Sequence, residues 1–217
     1  MIKWPHCLTE SQTLDCLLNG QSIARLGDGE FGIALGGGNS THAPNPALAK
    51  EFRKILINPN PGCLPAIPTM DKKSPRYERW SGYMSRYLKI LDMDHTYGSA
   101  FVGQTVSAPW IGTSKHADAF CQVWADKHVV AVQHDTSGLS KILERTARKI
   151  TWVFCPKTEA YSAIDDLEKS CLDAGADISV LVAGPCATAL ANRLCGHGLQ
   201  SIDLGRGVGV ILKHLSP

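Results

Sequence analysis

From residue 115 onward the chain repeats one pattern, a short and almost unbroken apolar run followed by a stretch with helical spacing. The apolar runs are His128–Gln133, Ile150–Cys155, Ile178–Ala183 and Gln200–Leu204. The helical stretches are Lys115–Asp126, Ser137–Thr146, Thr158–Ala174 and Cys186–Gly196. Strands that alternate with helices build βαβ units and a parallel sheet. Runs as continuous as Ser179-Val180-Leu181-Val182 require burial on both faces. The expected fold class is α/β, a mostly parallel sheet with helices on both faces. Ligands of such sheets gather beyond the carboxyl ends of the strands. Three loops lie there: His134-Asp135-Thr136-Ser137, Pro156-Lys157-Thr158 and Gly184-Pro185-Cys186-Ala187-Thr188.

The first half is less regular. A helix is expected over residues 9–19, capped near Thr9 and stopped by Gly20, and a strand over Ser22–Leu26. Pro46–Leu56 reads as a helix, Leu64–Ile67 as a strand, Ser74–Leu91 as a basic helix and Ser99–Val102 as strand-like. Gly36-Gly37-Gly38-Asn39-Ser40 reads as a flexible loop.

The strand at Ser22 runs into Gly27-Asp28-Gly29-Glu30. On an extended segment residues two apart point the same way, so Asp28 and Glu30 would face one point, with Arg25 nearby. Two carboxylates suit a hard divalent cation that holds a phosphate, and Gly27 and Gly29 would allow positive φ and close approach. Gly-Asp-Gly is also ordinary turn chemistry, and on the local string alone the surface turn is the more economical reading. Near the other end, Ala183-Gly184-Pro185 joins a buried strand to a helix. Pro185 suits the first helical position, and the N–H groups of such a helix start can bind phosphate. A plain strand-to-helix turn accounts for the same residues. The segment lacks the Gly-Lys-Ser/Thr ending of a P-loop. Gly205-Arg206-Gly207-Val208-Gly209 resembles a dinucleotide fingerprint only superficially, because no clear helix is expected after it.

Bulk properties narrow the classes. At 217 residues with 44% hydrophobic content, a real core is expected, and a net charge of +2 does not mark the whole chain as a nucleic-acid binder. Between Lys50 and Lys89, however, nine basic residues face three acidic ones, interleaved with Tyr77, Trp80, Tyr83 and Tyr87. That segment reads either as a solvated helix with its rings inward or as a surface for a phosphate-rich acceptor. None of the eight cysteines forms a CxxC pair, and no signal peptide or membrane-length apolar run is evident. Reduced thiols, a cytoplasmic location and no integral membrane segment are expected.

Two segments together point further. Arg25-Leu26-Gly27-Asp28-Gly29-Glu30-Phe31 and Ala183-Gly184-Pro185-Cys186-Ala187-Thr188-Ala189-Leu190-Ala191 resemble the glycosyltransferases of the GT-D fold. That family carries an Arg-x-Gly-Asp-Gly-Glu-Phe segment with a DxE metal motif, and a Gly-Pro-x-Ala-Thr-x-Leu-Ala segment before a strand ending in Asp-x-Gly. Here that ending is Asp203-Leu204-Gly205. Cys155-Pro156-Lys157, with Tyr161 and Asp165 after it, and Leu64-Pro65-Ala66-Ile67-Pro68 are similar too. The resemblance covers most of the chain in order. It implies a Rossmann-like GT-D type fold in one glycosyltransferase domain over 1–217. Residues 1–114 would carry the DxE motif and an acceptor-side insert, and 115–217 the regular βαβ half.

The resemblance also implies a hexose transfer from a nucleotide diphosphate sugar, UDP-hexose foremost, to a hydroxyl acceptor. Asp28 and Glu30 would engage Mn²⁺ or Mg²⁺ with the donor diphosphate, offsetting charge on the leaving group. Arg25 would orient the carboxylates or bind phosphate. Gly27, Gly29, His134, Gly184, Pro185, Thr188, Asp203 and Arg206 complete the expected donor site. Asp135 is a candidate base, with helix capping as its ordinary alternative. Trp110, Arg76 and Trp80 are acceptor-side candidates, Trp110 reading equally as a packed turn residue. Departures from the family pattern lie at Arg206, where His is common, at Gly103-Gln104-Thr105, where Ser-Arg-Pro is frequent, and in the short loop after Gln133. They bear on the acceptor more than on the donor chemistry.

A glycan or lipid-linked saccharide is the favoured acceptor, and a hydroxylated DNA base the second. A non-catalytic nucleotide or nucleic-acid binding protein is the competing class, an oxidoreductase using a nicotinamide cofactor the third, and the reading leaves room for a homodimer. His42, His95, His116 and His197 show no metal-ligand spacing, and Cys155 and Cys186 read as small core residues rather than nucleophiles.

Overall fold

The computed structural model describes residues 3–70, 77, 81–102, 113–135, 138–205 and 207–214. Seven parallel strands form one sheet: β1 (Ser22–Arg25), β2 (Cys63–Ile67), β3 (Gly98–Ser99), β4 (His128–Gln133), β5 (Lys149–Phe154), β6 (Ile178–Val182) and β7 (Gln200–Asp203). Their spatial order is β3-β2-β1-β7-β6-β4-β5. Both halves of the chain thus share one sheet, joined where Ile23 of β1 pairs with Ile202 of β7.

Helices cover both faces. One layer holds α2 (Asp28–Ala34), α3 (Pro46–Ile57), α4 (Met84–Tyr87), α7 (Ile164–Asp173) and α8 (Pro185–Gly196). The other holds α1 (Glu10–Leu18), α5 (Thr113–Cys121), α6 (Leu139–Leu143) and α9 (Gly207–His214). The chain leaves β1 and β6 toward the first layer and β7 and β4 toward the second. Neighbouring strands whose exits diverge open a crevice above their carboxyl ends.

Local chemistry explains the element ends. Thr9 and Gln12 form a reciprocal cap on α1, with Gln12 N donating to Thr9 Oγ1 at 3.2 Å and Thr9 N to Gln12 Oε1 at 3.0 Å. Asn45 Oδ1 accepts from Ala47 N and Leu48 N, both at 3.0 Å, with Pro46 opening α3.

Several expectations need correction. Asp28–Glu30 is neither an extended segment nor a turn but the first turn of α2. A helix does follow Gly205: α9, whose Val208 and Ile211 pack into the second core layer. The strand expected at Ser99–Val102 is the two-residue β3. The helix expected from Thr158 begins with a 3-10 turn at Ala160–Ala163, after Glu159 at φ 53°. Of the basic helix expected over Ser74–Leu91, α4 is described together with the helical positions of Tyr77 and Ser81, and residues 71–76 and 78–80 lie outside the described residues. Tyr87 turns inward and stacks on Phe31, with ring centroids 4.1 Å apart. The Gly36–Ser40 loop is tied down: Asn39 Oδ1 accepts from Thr41 N at 2.8 Å and His42 N at 2.9 Å, and Glu159 N donates to Thr41 O at 2.9 Å.

Candidate functional site

The crevice above β1, β7 and β6 gathers most of the expected donor residues. Asp203, the last residue of β7, is buried at 4% exposure and faces α8. Its Oδ2 accepts from Arg25 N at 3.0 Å and lies 3.0 Å from Thr188 Oγ1, whose hydroxyl also reaches Arg25 O at 2.8 Å. Three segments far apart in sequence therefore meet at one carboxylate. Burial pushes the Asp203 carboxyl up to about 7, with the Glu30 charge adding to the rise. The Arg25 charge and the donors on Arg25 N and Thr188 only partly offset this.

Glu30 occupies the third position of α2, and its Oε2 accepts from Gly27 N at 2.8 Å, satisfying a helix-start donor. Burial raises its carboxyl above the usual carboxylate range; N–H donors and the Arg25 charge oppose the rise, and Asp28 adds to it. Asp28 opens the helix, is exposed, and accepts from Gly29 N at 3.2 Å. On a helix, residues two apart point in divergent directions, so Asp28 and Glu30 do not face one point as the extended reading required. Neither Gly27 nor Gly29 has positive φ. They are needed for space: a Cβ on Gly27 would lie 3.1 Å from Glu30 Oε2, and one on Gly29 2.9 Å from Asn39 Nδ2.

Arg25 spans the crevice floor. Its Nε donates to Ala100 O at 2.9 Å and its Nη1 to Leu204 O at 2.6 Å. Gly205, at φ 47°, leaves the room this needs, since a Cβ there would lie 2.9 Å from Arg25 Nη1. Gly184 caps α8 at φ 57° and ψ −143°, backbone that favours glycine, with Pro185 at the helix start as expected.

His134 and Asp135 follow β4 and pair with each other, Nε2 to Oδ2 at 3.1 Å. Asp135 does not cap the next helix, because the residue preceding α6 is Gly138. Arg206, Trp110, Arg76 and Trp80 lie outside the described residues, as do Thr136 and Ser137. Cys155 and Cys186 are buried thiols, pushed by desolvation to about 11 and about 12, which leaves them protonated and inert at neutral pH. Tyr161 and Asp165 serve packing. Tyr161 donates to Glu51 at 2.7 Å, and Arg193 joins Glu51 at 2.7 Å and Asp165 at 2.6 Å, fastening α3 and α7 to α8.

Among the described residues no three His, Cys, Asp or Glu side chains group so as to hold a metal, and no helix is long and apolar enough to cross a membrane. Two hollows of about 220 and 250 Å³, one lined by Asp177, His197 and Gly198 and the other by Asp118, Arg145 and Thr146, lie away from the crevice. The network missed in the sequence is the joining of Arg25, Thr188 and Asp203. Only the position of Asp203 at a strand end hinted at it.

Comparison with known proteins agrees with this architecture. The protein is 26% identical to the "Probable glycosyl transferase Gly" of Streptococcus gordonii over 91% of its own length and 31% of that protein's. It is 27% identical to "Glycosyltransferase GlyD" of Streptococcus pneumoniae serotype 4, over 89% of this chain and 26% of the relative. The chain thus spans less than a third of these curated relatives. Its fold matches the solved structure titled "A New Glycosyltransferase (DUF1792) from Streptococcus sanguinis" with a TM-score of 0.82 at 22% identity, covering 93% of this chain and 81% of that one. A second structure, of a domain of unknown function 1792 described as having a distinct glycosyltransferase fold, matches with the same TM-score at 23% identity, over 93% and 78%. The family model described as Glycosyltransferase GT-D fold matches residues 23–208, which is most of the chain, and the protein belongs to that family.

Proposed function

We propose that this chain transfers a hexose from a nucleoside diphosphate sugar to a hydroxyl of a saccharide or lipid-linked saccharide, with a divalent cation as cofactor. The observation that carries the reading is the convergence of Arg25, Thr188 and the buried Asp203 carboxyl on the crevice floor, beside the glycine-led start of α8. Carboxyls desolvated next to one another mark places where a cation or a proton is expected to complete the charge balance.

The residues suit Mg²⁺ or Mn²⁺ by chemistry. Such ions are held by one or two carboxylates together with substrate phosphates and water. Asp28 is exposed, and Glu30 has one oxygen engaged by Gly27 N. Asp28 would hold the cation together with diphosphate oxygens and water, and Glu30, bound back to Gly27 N, would fix the helix start that presents Asp28. When bound, the cation supplies charge stabilisation for the departing nucleoside diphosphate. Arg25 keeps the crevice floor in shape and adds positive charge close to both carboxyls. Thr188 and the Arg25 N–H hold Asp203 in place. The α8 start, freed for close approach by Gly184, would receive a phosphate. Asp135, paired with His134 at the rim, would take the acceptor proton.

The test is a thermal-shift panel of nucleoside diphosphates and their sugars, each with Mn²⁺ and with chelator, followed by turnover assays. A metal-dependent rise for one nucleotide sugar is expected. Asp28→Asn should abolish that metal dependence, and both Asp28→Asn and Glu30→Gln should lower turnover by about 100-fold or more. Unchanged turnover in both variants would refute the reading.

A further inference from the structure

Gln133 ends β4, and its place is unusual. Val129 and Ala131 of the same strand pack into the second core layer, so Gln133 faces that side of the sheet. It is fully buried, and among the described residues both its Nε2 and its Oε1 lack a hydrogen-bond partner. Buried side-chain amides are nearly always paired, and an orphaned one costs stability that a well-packed apolar residue would not. Yet the amide lies a single residue beneath the rim, because the next two side chains, His134 and Asp135, are 31% and 54% exposed.

Its register partners are Phe154 on β5 and Val182 on β6. Ile150 and Trp152 of β5 pack on the second layer, which places Phe154 on the same face as Gln133. Phe154 is 62% exposed, so a bare aromatic ring stands beside a buried and unpaired amide. An amide offers one acceptor and two donors, and a ring offers a stacking face. A nucleobase takes both at once, a donor–acceptor edge and a flat face, and proteins read extruded bases by this pairing of contacts. β4 stands two strands from β7 and Gln133 faces the opposite side of the sheet from Asp203, so a nucleotide that touches both would lie across the carboxyl ends of β7, β6 and β4.

The geometry points to Gln133 and Phe154 as the nucleobase-reading part of the donor site, the amide bonding the base edge and the ring stacking on its face. This rests on the nucleoside diphosphate sugar reading above. Gln133 decides which base is accepted, and Phe154 adds affinity without choosing.

The experiment is calorimetric titration of UDP, CDP, GDP, ADP and a UDP-hexose, with Mn²⁺, into the wild-type chain and into Gln133→Met and Phe154→Ala. The wild type should favour one base by about tenfold or more. Gln133→Met should weaken that nucleotide by about 10- to 100-fold and level the four. Phe154→Ala should weaken all four by about fivefold or more. Without ligand, Gln133→Met should raise the melting temperature by about 2–4 °C, because an orphaned amide is removed; a merely structural glutamine would lower it. If Gln133→Met keeps the wild-type preference, the assignment falls while the donor reading stands. If free UDP binds the variant normally and only UDP-hexose weakens, the pair touches the sugar and the assignment is overturned. If no nucleoside diphosphate binds the wild type, the donor reading fails and this subsite with it.

Discussion

Asp203 makes stability fall as pH rises, and replacing it with Asn should remove that dependence. Its carboxyl lies at about 7 in the folded chain against an ordinary 3.8. Between those values the folded protein holds a proton that the unfolded chain has released. Stability therefore declines with rising pH throughout the window, and the loss is complete above pH 7. The whole shift corresponds to on the order of 4 kcal/mol, of which about 2.7 kcal/mol falls between pH 5 and pH 8. Asp203 is 4% exposed, so solvent does little to screen this. Asn keeps the shape and can present its oxygen to Arg25 N and Thr188. Urea unfolding at pH 5, 6, 7 and 8, with chelator present, measures the effect. Asp203→Asn should gain on the wild type as pH rises, its midpoint moving by about 1 M relative to wild type between pH 5 and pH 8. Curves that stay parallel across the whole range would refute the argument.

Other perturbations test neighbouring parts. Gly184→Ala forces a side chain into φ 57°, ψ −143°, and should cost about 1–3 kcal/mol by urea unfolding even though Thr41 leaves room for the Cβ. Arg193→Met leaves Glu51, 15% exposed, without its cation; a loss of about 2–3 kcal/mol is expected by denaturant titration, with nucleotide affinity unchanged. Cys195 is held below the ordinary thiol range chiefly by the neighbouring Cys63, against the effect of burial, so alkylation at pH 7 followed by peptide mass mapping should find it labelled before the buried cysteines. Cys63, pushed well up, should stay unlabelled.

The sequence was most legible where burial is two-sided. β4 lies at His128–Gln133 as expected, because no other arrangement covers so continuous an apolar run. It was least legible where glycine hid a helix. Gly29 and Gly32 lower the helical propensity of α2, yet Phe31, Ile33 and Ala34 are buried and hold it in place. Gly207 and Gly209 disguise α9 in the same way, and packing of Val208 and Ile211 prevails over propensity. Asp28, Glu30 and Asp203 could be picked out by type and by strand-end position. That Glu30 would bind back to Gly27, and that Thr188 would reach across to both Arg25 and Asp203, depends on contacts between distant segments that no local pattern encodes. Gln133 read as the last residue of an apolar strand, and only the packed structure reveals that its amide has no partner among the described residues.

The strand order bears on how the chain reaches this state. β7 lies between β1 and β6, so the last of the described strands closes the middle of the sheet. Until residues 200–203 leave the ribosome, β1 offers an unpaired and largely buried-type edge to its surroundings. β1–β2–β3 and β6–β4–β5 can each form early, but they cannot join. Assembly must therefore be late, dominated by pairings nearly the length of the chain apart, and slow compared with domains of local topology. During synthesis the exposed flank of β1 is where a chaperone would be needed and where misassembly with a second nascent copy would begin.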